Sequence, residues 1–198
     1  GGGAINVAGS TNLLQLGFAG DTTVRADGSL TLSGTVAGNS RNLTLIADSG
    51  NITQTGGSFN SVVALTATAA GNIDLQSEYN GFTSFTGTST GNGSIKLRGH
   101  SFDFAADTGG AVDIRAATNV TGSRMLRAGS LSIVSDGGSI DLNPSTYAVG
   151  RFGDLRAGGG DVNVYATGDI LLTGAVSGGC QLGADQLVDS RGAVMDEA

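Results

Sequence analysis

One short pattern governs this chain: a turn-forming pair followed by apolar–polar–apolar. It reads GAINV with Ile5 and Val7, GSLTL with Leu30 and Leu32, and RNLTL with Leu43 and Leu45. It continues as GNITQ at Ile52, GNIDL with Ile73 and Leu75, and GSIKL with Ile95 and Leu97. Further on come GAVDI (Val112, Ile114), GSLSI (Leu131, Ile133), GSIDL (Ile140, Leu142), GDVNV (Val162, Val164) and GDILL (Ile170, Leu172). Apolar residues at period two define a strand with one face buried and one in water. The Gly paired with Ser, Asn or Asp before each strand supplies a positive φ or a side-chain-to-backbone bond at a tight corner.

Spacing turns the strands into an architecture. NLTLIADSGNITQTGG, ALTATAAGNIDLQS, SLSIVSDGGSIDLN and DVNVYATGDILLTG each hold two short strands across a corner. Starting points near Ile5, Val24, Leu43 and Val63 advance by 19, 19 and 20 residues, and the segments at Phe85 and Phe104 keep the step. Residues 118–128 and 143–157 depart from it. A period near 20 with two or three strands per repeat predicts an all-β chain wound as a parallel β-helix (a β-solenoid) of about 19–22 residues per coil. Eight or nine coils stacked at the strand spacing make a rod about 40 Å long. A β-sandwich also has short strands and frequent turns. It rarely repeats one turn signal before nearly every strand, and its core usually holds more than this chain's seven Phe, three Tyr and no Trp. The repeat covers residues 1–178, and 179–198 reads as a C-terminal tail: a cap, a linker or a strand of a further coil.

Composition fits the rod and removes several classes of function. Gly accounts for 35 of 198 residues, and one Pro with no G-X-Y period excludes collagen. Ten basic residues against 17 acidic ones give −7, and Lys96 is the one Lys. Nucleic acid and anionic membrane both need clustered cations, so neither is an expected partner. A single Cys, Cys180, excludes an internal disulfide framework and a Cys-based metal site. No run of 18 apolar residues is long enough to span a bilayer, and no signal peptide precedes the repeats.

The phrases LTLIADSGNITQTGG and LTATAAGNIDLQ, one period apart, resemble the repeats of filamentous haemagglutinin-like proteins. These are the secreted passengers of bacterial two-partner secretion. The resemblance covers roughly residues 1–178 and rests on repeat length, the SGNI-type corner and the Gly/Thr/Ala/Leu-rich composition. It implies a right-handed β-helix on a bacterial outer surface or in its medium, acting as a non-catalytic adhesin shaft. The partner implied is a surface protein or glycan of a host or neighbouring cell. The family's secretion domain with its Asn-Pro motifs is missing, and Asn143-Pro144 lies outside such a context. Two other functions stay open: a structural fibre whose copies stack end to end through open strand edges, and a carbohydrate-active β-helix enzyme.

No catalytic residue, cofactor or metal ligand is assigned. The position between the inward apolar residues points outward and reads Asn6, Thr31, Thr44, Asp74, Lys96, Asp113, Asp141 and Asn163. Paired acids on such a face could serve a polysaccharide-cleaving site. Lys96 between Asp74 and Asp113 instead reads as charge alternation along a solvated ladder. His100 lacks a nearby nucleophile motif and reads as a turn residue. GGGD at Gly158–Asp161 lacks the repeated calcium-binding frame. Thr53/Thr55, Thr66/Thr68 and Thr86/Thr88 have ice-binder spacing without rows that persist from coil to coil. Asn42, Asn51, Asn92 and Asn119 match the glycosylation sequon at the frequency expected by chance. Tyr79, Phe82 and Phe85, close in YNGFTSF, are the candidates for a sugar- or protein-contact patch, although core and corner packing is the use expected first.

Overall fold

The computed structural model describes residues 2–144, 146–165, 170–183 and 187–188. Among them the chain is all β with no helix, its parallel strands stacked as a β-solenoid of about 9 turns. Each coil has three sides. The first side is built from Gly3–Val7, Thr22–Ala26, the later halves of Val36–Ala47 and Phe59–Ala69, then Phe82–Ser89, Phe102–Asp107, Met125–Ala128 and Thr146–Val149. The second runs through Thr11–Leu13, Leu30–Leu32, Ile52–Gln54, Ile73–Leu75, Ile95–Gly99, Ala111–Ala116, Ser130–Ser135 and the start of Phe152–Tyr165. The third is shorter and includes Leu16–Gly17, Val120–Gly122 and Ile140–Leu142.

Strand register carries the period. Ile5, Val24, Leu45, Ala67, Gly87 and Ala106 stack in one inward column, with steps of 19, 21, 22, 20 and 19 residues. On the second side Leu30, Ile52, Ile73, Ile95, Val112 and Leu131 form another, every member buried. The eight residues Ile73, Leu75, Ile95, Leu97, Val112, Ile114, Leu131 and Ile133 therefore share one core, as the alternation predicts. Inward columns from the sides of each coil, aliphatic with several phenylalanines, meet in one core along the axis.

The corners explain the recurring GS and GN pairs. The Ser29 amide donates to Ser10 Oγ at 3.0 Å, and the Asn51 amide to Ser29 Oγ at 3.1 Å. The Asn72 amide donates to Asn51 Oδ1 at 2.7 Å, and the Ser94 amide to Asn72 Oδ1 at 2.8 Å. The same ladder resumes at Asn119, Ser139 and Asp161. Each side-chain oxygen thus satisfies the amide of its counterpart one coil further on, where no strand partner exists. The preceding glycine is required by close approach: a Cβ on Gly28 would lie 2.5 Å from Ser10 Oγ, and one on Gly71 would collide with Asn51 Oδ1. None of Gly28, Gly50 and Gly71 has a positive φ, so of the two expected uses of the turn pair the side-chain bond is the one found here.

Three expectations shift. The fourth coil starts at Leu65, which is in register with Leu43, while Val63 points outward and is 42% exposed. The step is already 22 residues at Leu30–Ile52 and 23 at Val36–Phe59, and the register slips around Arg41, where Ser61 takes a left-handed φ of 54°, return it to 22 at Leu43–Leu65. Ile5 is 40% exposed, because Gly3–Val7 pairs with Thr22–Ala26 on one edge only among the described residues. The boundary placed between 178 and 179 falls inside the strand Val176–Gly183, which pairs with Phe152–Tyr165 and carries Cys180 opposite Val162. Leu187–Val188 adds a pairing with Ile170–Leu171. The remainder of the expected tail, 184–186 and 189–198, lies outside the described residues.

Candidate functional site

The aromatic triplet divides between inside and outside. Tyr79 is 75% exposed, whereas Phe82 is 4% and Phe85 0% exposed. Phe82 is in register with Val62 and Phe85 with Leu65, so both occupy places that aliphatic residues fill in the coil before. Phe82 packs against Phe59, Phe85 and Phe102 with ring centroids 6.2, 6.1 and 5.2 Å apart. As surface-contact candidates these two are corrected to the core-packing use: both lie in the one strand Phe82–Ser89 and point inward. Tyr79 alone remains available.

What holds Tyr79 out is a polar clamp that the repeat pattern does not disclose. The segment between Ile73–Leu75 and Phe82–Ser89 carries no strand and folds over Asn80, which is 1% exposed. Asn80 Nδ2 donates to Gln54 Oε1 at 3.0 Å and to the Arg98 carbonyl at 3.1 Å. Asn80 Oδ1 accepts from Gln54 Nε2 at 3.0 Å and from the Phe59 amide at 3.1 Å. Gln54 also accepts the Ser77 amide, and the Asn80 carbonyl accepts the His100 amide. A buried amide with both ends satisfied fixes the loop. Gln54 stacks after Leu32 in a column that is otherwise apolar. A polar residue at an inward position was the one sequence signal for the clamp.

Beside this loop the second side carries two outward rows in register. One runs Thr31, Thr53, Asp74, Lys96, Asp113 and Ser132; the other runs Arg98, Arg115, Val134 and Arg156. A groove of about 300 Å³ lies over them, lined among others by Gln76, Arg98, Asp113, Arg115, Ser132 and Asp154. Arg98 pairs with Glu78 at 3.1 Å and Arg115 with Asp136 at 3.0 Å. Hydrogen bonds from Arg115 hold the Asp136 carboxyl below its usual range, and the same contact raises the Arg115 guanidinium. The Glu78 carboxylate, by hydrogen bonding and charge, pushes the Tyr79 phenol up. Tyr79, Glu78, Arg98, Arg115 and Asp136 thus form one surface cluster at the end of the groove.

The other sequence candidates fall elsewhere. Lys96 does stand between Asp74 and Asp113 in register, and Asp141 stands between Thr121 and Asn163, so no two carboxylates adjoin in these rows. His100 is an exposed turn residue whose carbonyl accepts from the Thr118 amide. Gly158–Asp161 runs within the strand Phe152–Tyr165. Asn51 and Asn119 are corner-ladder residues, and Asn42 hydrogen-bonds Asp21. One threonine row is longer than the sequence suggested: Thr23, Thr44, Thr66 and Thr86 stack on four successive coils. It ends where Arg124 folds back to Thr86 Oγ1 at 3.0 Å and the next position is the buried Ala105. A larger groove of about 660 Å³ follows the corner from Thr88, Thr90 and Asn92 to Val149, with the Asp107–Arg127 pair across it. Among the described residues no group of three or more His, Cys, Asp or Glu is placed to hold a metal, and no helix is long and apolar enough to cross a membrane.

These features define a parallel β-solenoid with polar outer rows. No protein-family model, curated protein or solved structure matches the chain.

Proposed function

We propose that this chain is a rod segment of a secreted or cell-surface adhesin, which binds through its outer rows and performs no covalent chemistry. The observation that carries the reading is the persistence of short hydroxyl side chains in register outside successive coils, over a core that needs nothing from them. A rod gains strength by repeating weak contacts along its length, so the same array can hold a surface that no single contact could. The resemblance of LTLIADSGNITQTGG and LTATAAGNIDLQ to filamentous haemagglutinin-like repeats supports the same function.

The test compares beads coated with the chain against the chain free in solution, on bacterial and epithelial cell layers. Coated beads should adhere at least about 100-fold more tightly than the free chain, as multivalent display predicts. The reading fails if coated beads adhere no better than bare ones. It also fails if the chain cleaves a polysaccharide and Asp113→Asn or Asp141→Asn abolishes cleavage with the fold intact.

A further inference from the structure

We infer that the groove on the second side, with Tyr79 at its end, binds a neutral polysaccharide chain lying along the rod axis. The inference rests on the adhesin reading and names its ligand class and contact residues. Its first support is the kind of group presented. Guanidinium, carboxylate, amide and hydroxyl groups from Arg98, Arg115, Asp113, Gln76 and Ser132 converge on one groove. Planar two-toothed groups of this kind can pair with the neighbouring hydroxyls of a sugar ring.

The second support is charge. The lining holds two cations, Arg98 and Arg115, and two anions, Asp113 and Asp154, in a protein whose net charge is −7. Arg98 and Arg115 are register neighbours, an arrangement of like charges that costs stability unless it is compensated. Glu78 and Asp136 supply the compensation from the flanking corners. With Arg98 and Arg115 already paired, the lining offers an acidic polymer no free cation.

The third is spacing. The rows repeat at the strand separation of about 4.8 Å. That is close to the length of one pyranose residue in an extended glycan, so each successive sugar would lie over one coil. An extended peptide laid the same way advances about 3.3 Å per residue and falls out of step. The fourth is Tyr79. An exposed aromatic on a loop locked by the Asn80 clamp gives a ring on which the C–H face of a sugar can stack at little entropic cost.

The test titrates the whole chain with cellohexaose, mannohexaose and chitohexaose, with hexagalacturonate and an uncharged Ser/Thr decapeptide as comparators, followed by NMR and calorimetry. At least one neutral hexasaccharide should bind more tightly than both comparators. Tyr79→Ala should weaken it at least about tenfold, the effect of losing an aromatic anchor. Leu14→Ala, at an exposed corner outside the outer rows and the groove, should change it less than about twofold. Unaltered far-UV circular dichroism of Tyr79→Ala will confirm that its fold is kept. Absence of neutral-saccharide binding, tighter binding of either comparator, or indifference to Tyr79→Ala overturns the inference. Coated beads that still adhere with Tyr79→Ala would remove the groove and leave the adhesin reading standing. Beads that never adhere, with hexasaccharide binding that Tyr79→Ala abolishes, would do the reverse.

Discussion

Shortening Leu97 to Ala tests the inside–outside assignment on which every other conclusion depends. Leu97 is 2% exposed and stacks between Leu75 and Ile114 in the middle of the rod. The change removes three side-chain carbons, which at roughly 0.8 kcal/mol each costs about 2.4 kcal/mol of transfer energy. A cavity term adds to it, because backbone hydrogen bonds hold the flanking coils at a fixed separation and they cannot close over the gap. Together the two terms give roughly 3–4 kcal/mol. Thr44, one position outward on the first side, makes no core contact, and Thr44→Ala should cost under about 1 kcal/mol. Guanidinium titrations followed by far-UV circular dichroism will read both. The midpoint of Leu97→Ala should drop at unchanged slope, since slope tracks the surface exposed on unfolding. Equal losses for the two variants, or a loss below about 1 kcal/mol for Leu97→Ala, would refute the assignment.

Two further outcomes follow from the corners. Asn80→Ala leaves Gln54, the Phe59 amide and the Arg98 carbonyl without their buried partner, and should destabilise by about 1–3 kcal/mol, toward the upper end because several groups are orphaned; thermal unfolding unchanged from the parent would show that the clamp is dispensable. Arg115 depresses the folded-state pKa of Asp136, so the stability it gives is full above about pH 4 and is lost as pH falls through that depressed value; urea midpoints across the acid range should therefore decline less steeply for Asp136→Asn, and an identical decline would count against the pair.

Much of the rod could be read from residues alone, for a definite reason. In a solenoid each coil contacts mainly its neighbours, so local alternation and turn chemistry are nearly the whole fold. GNIDL and GSIKL predict that Ile73 stacks on Ile95 and Leu75 on Leu97, and they do. Register slips were invisible where a corner gained residues, as between Leu43 and Leu65. Phe82 and Phe85 stayed ambiguous because three-residue spacing does not fit the period-two face of a strand, yet both point inward from one strand. Asn80 was missed because its partner, Gln54, lies 26 residues earlier, beyond any local pattern.

Side chains are free to leave the rod where a corner is not consumed by hydrogen bonds to the next coil. A regular corner is consumed by its ladder: Asn51 receives Asn72, Asn72 receives Ser94, and the glycines beside them leave no room for a side chain. Such a corner can hold the coil together but has little left to offer a ligand. Gln76–Gly81 carries no strand, and the Asn80 clamp lets it hold shape without the ladder. Its exposed members Glu78 and Tyr79 stand beside Arg98, so one segment supplies both an aromatic and a counter-charge. Recognition on this rod is therefore expected where a corner is held from within, and the laddered corners set the spacing at which it is presented.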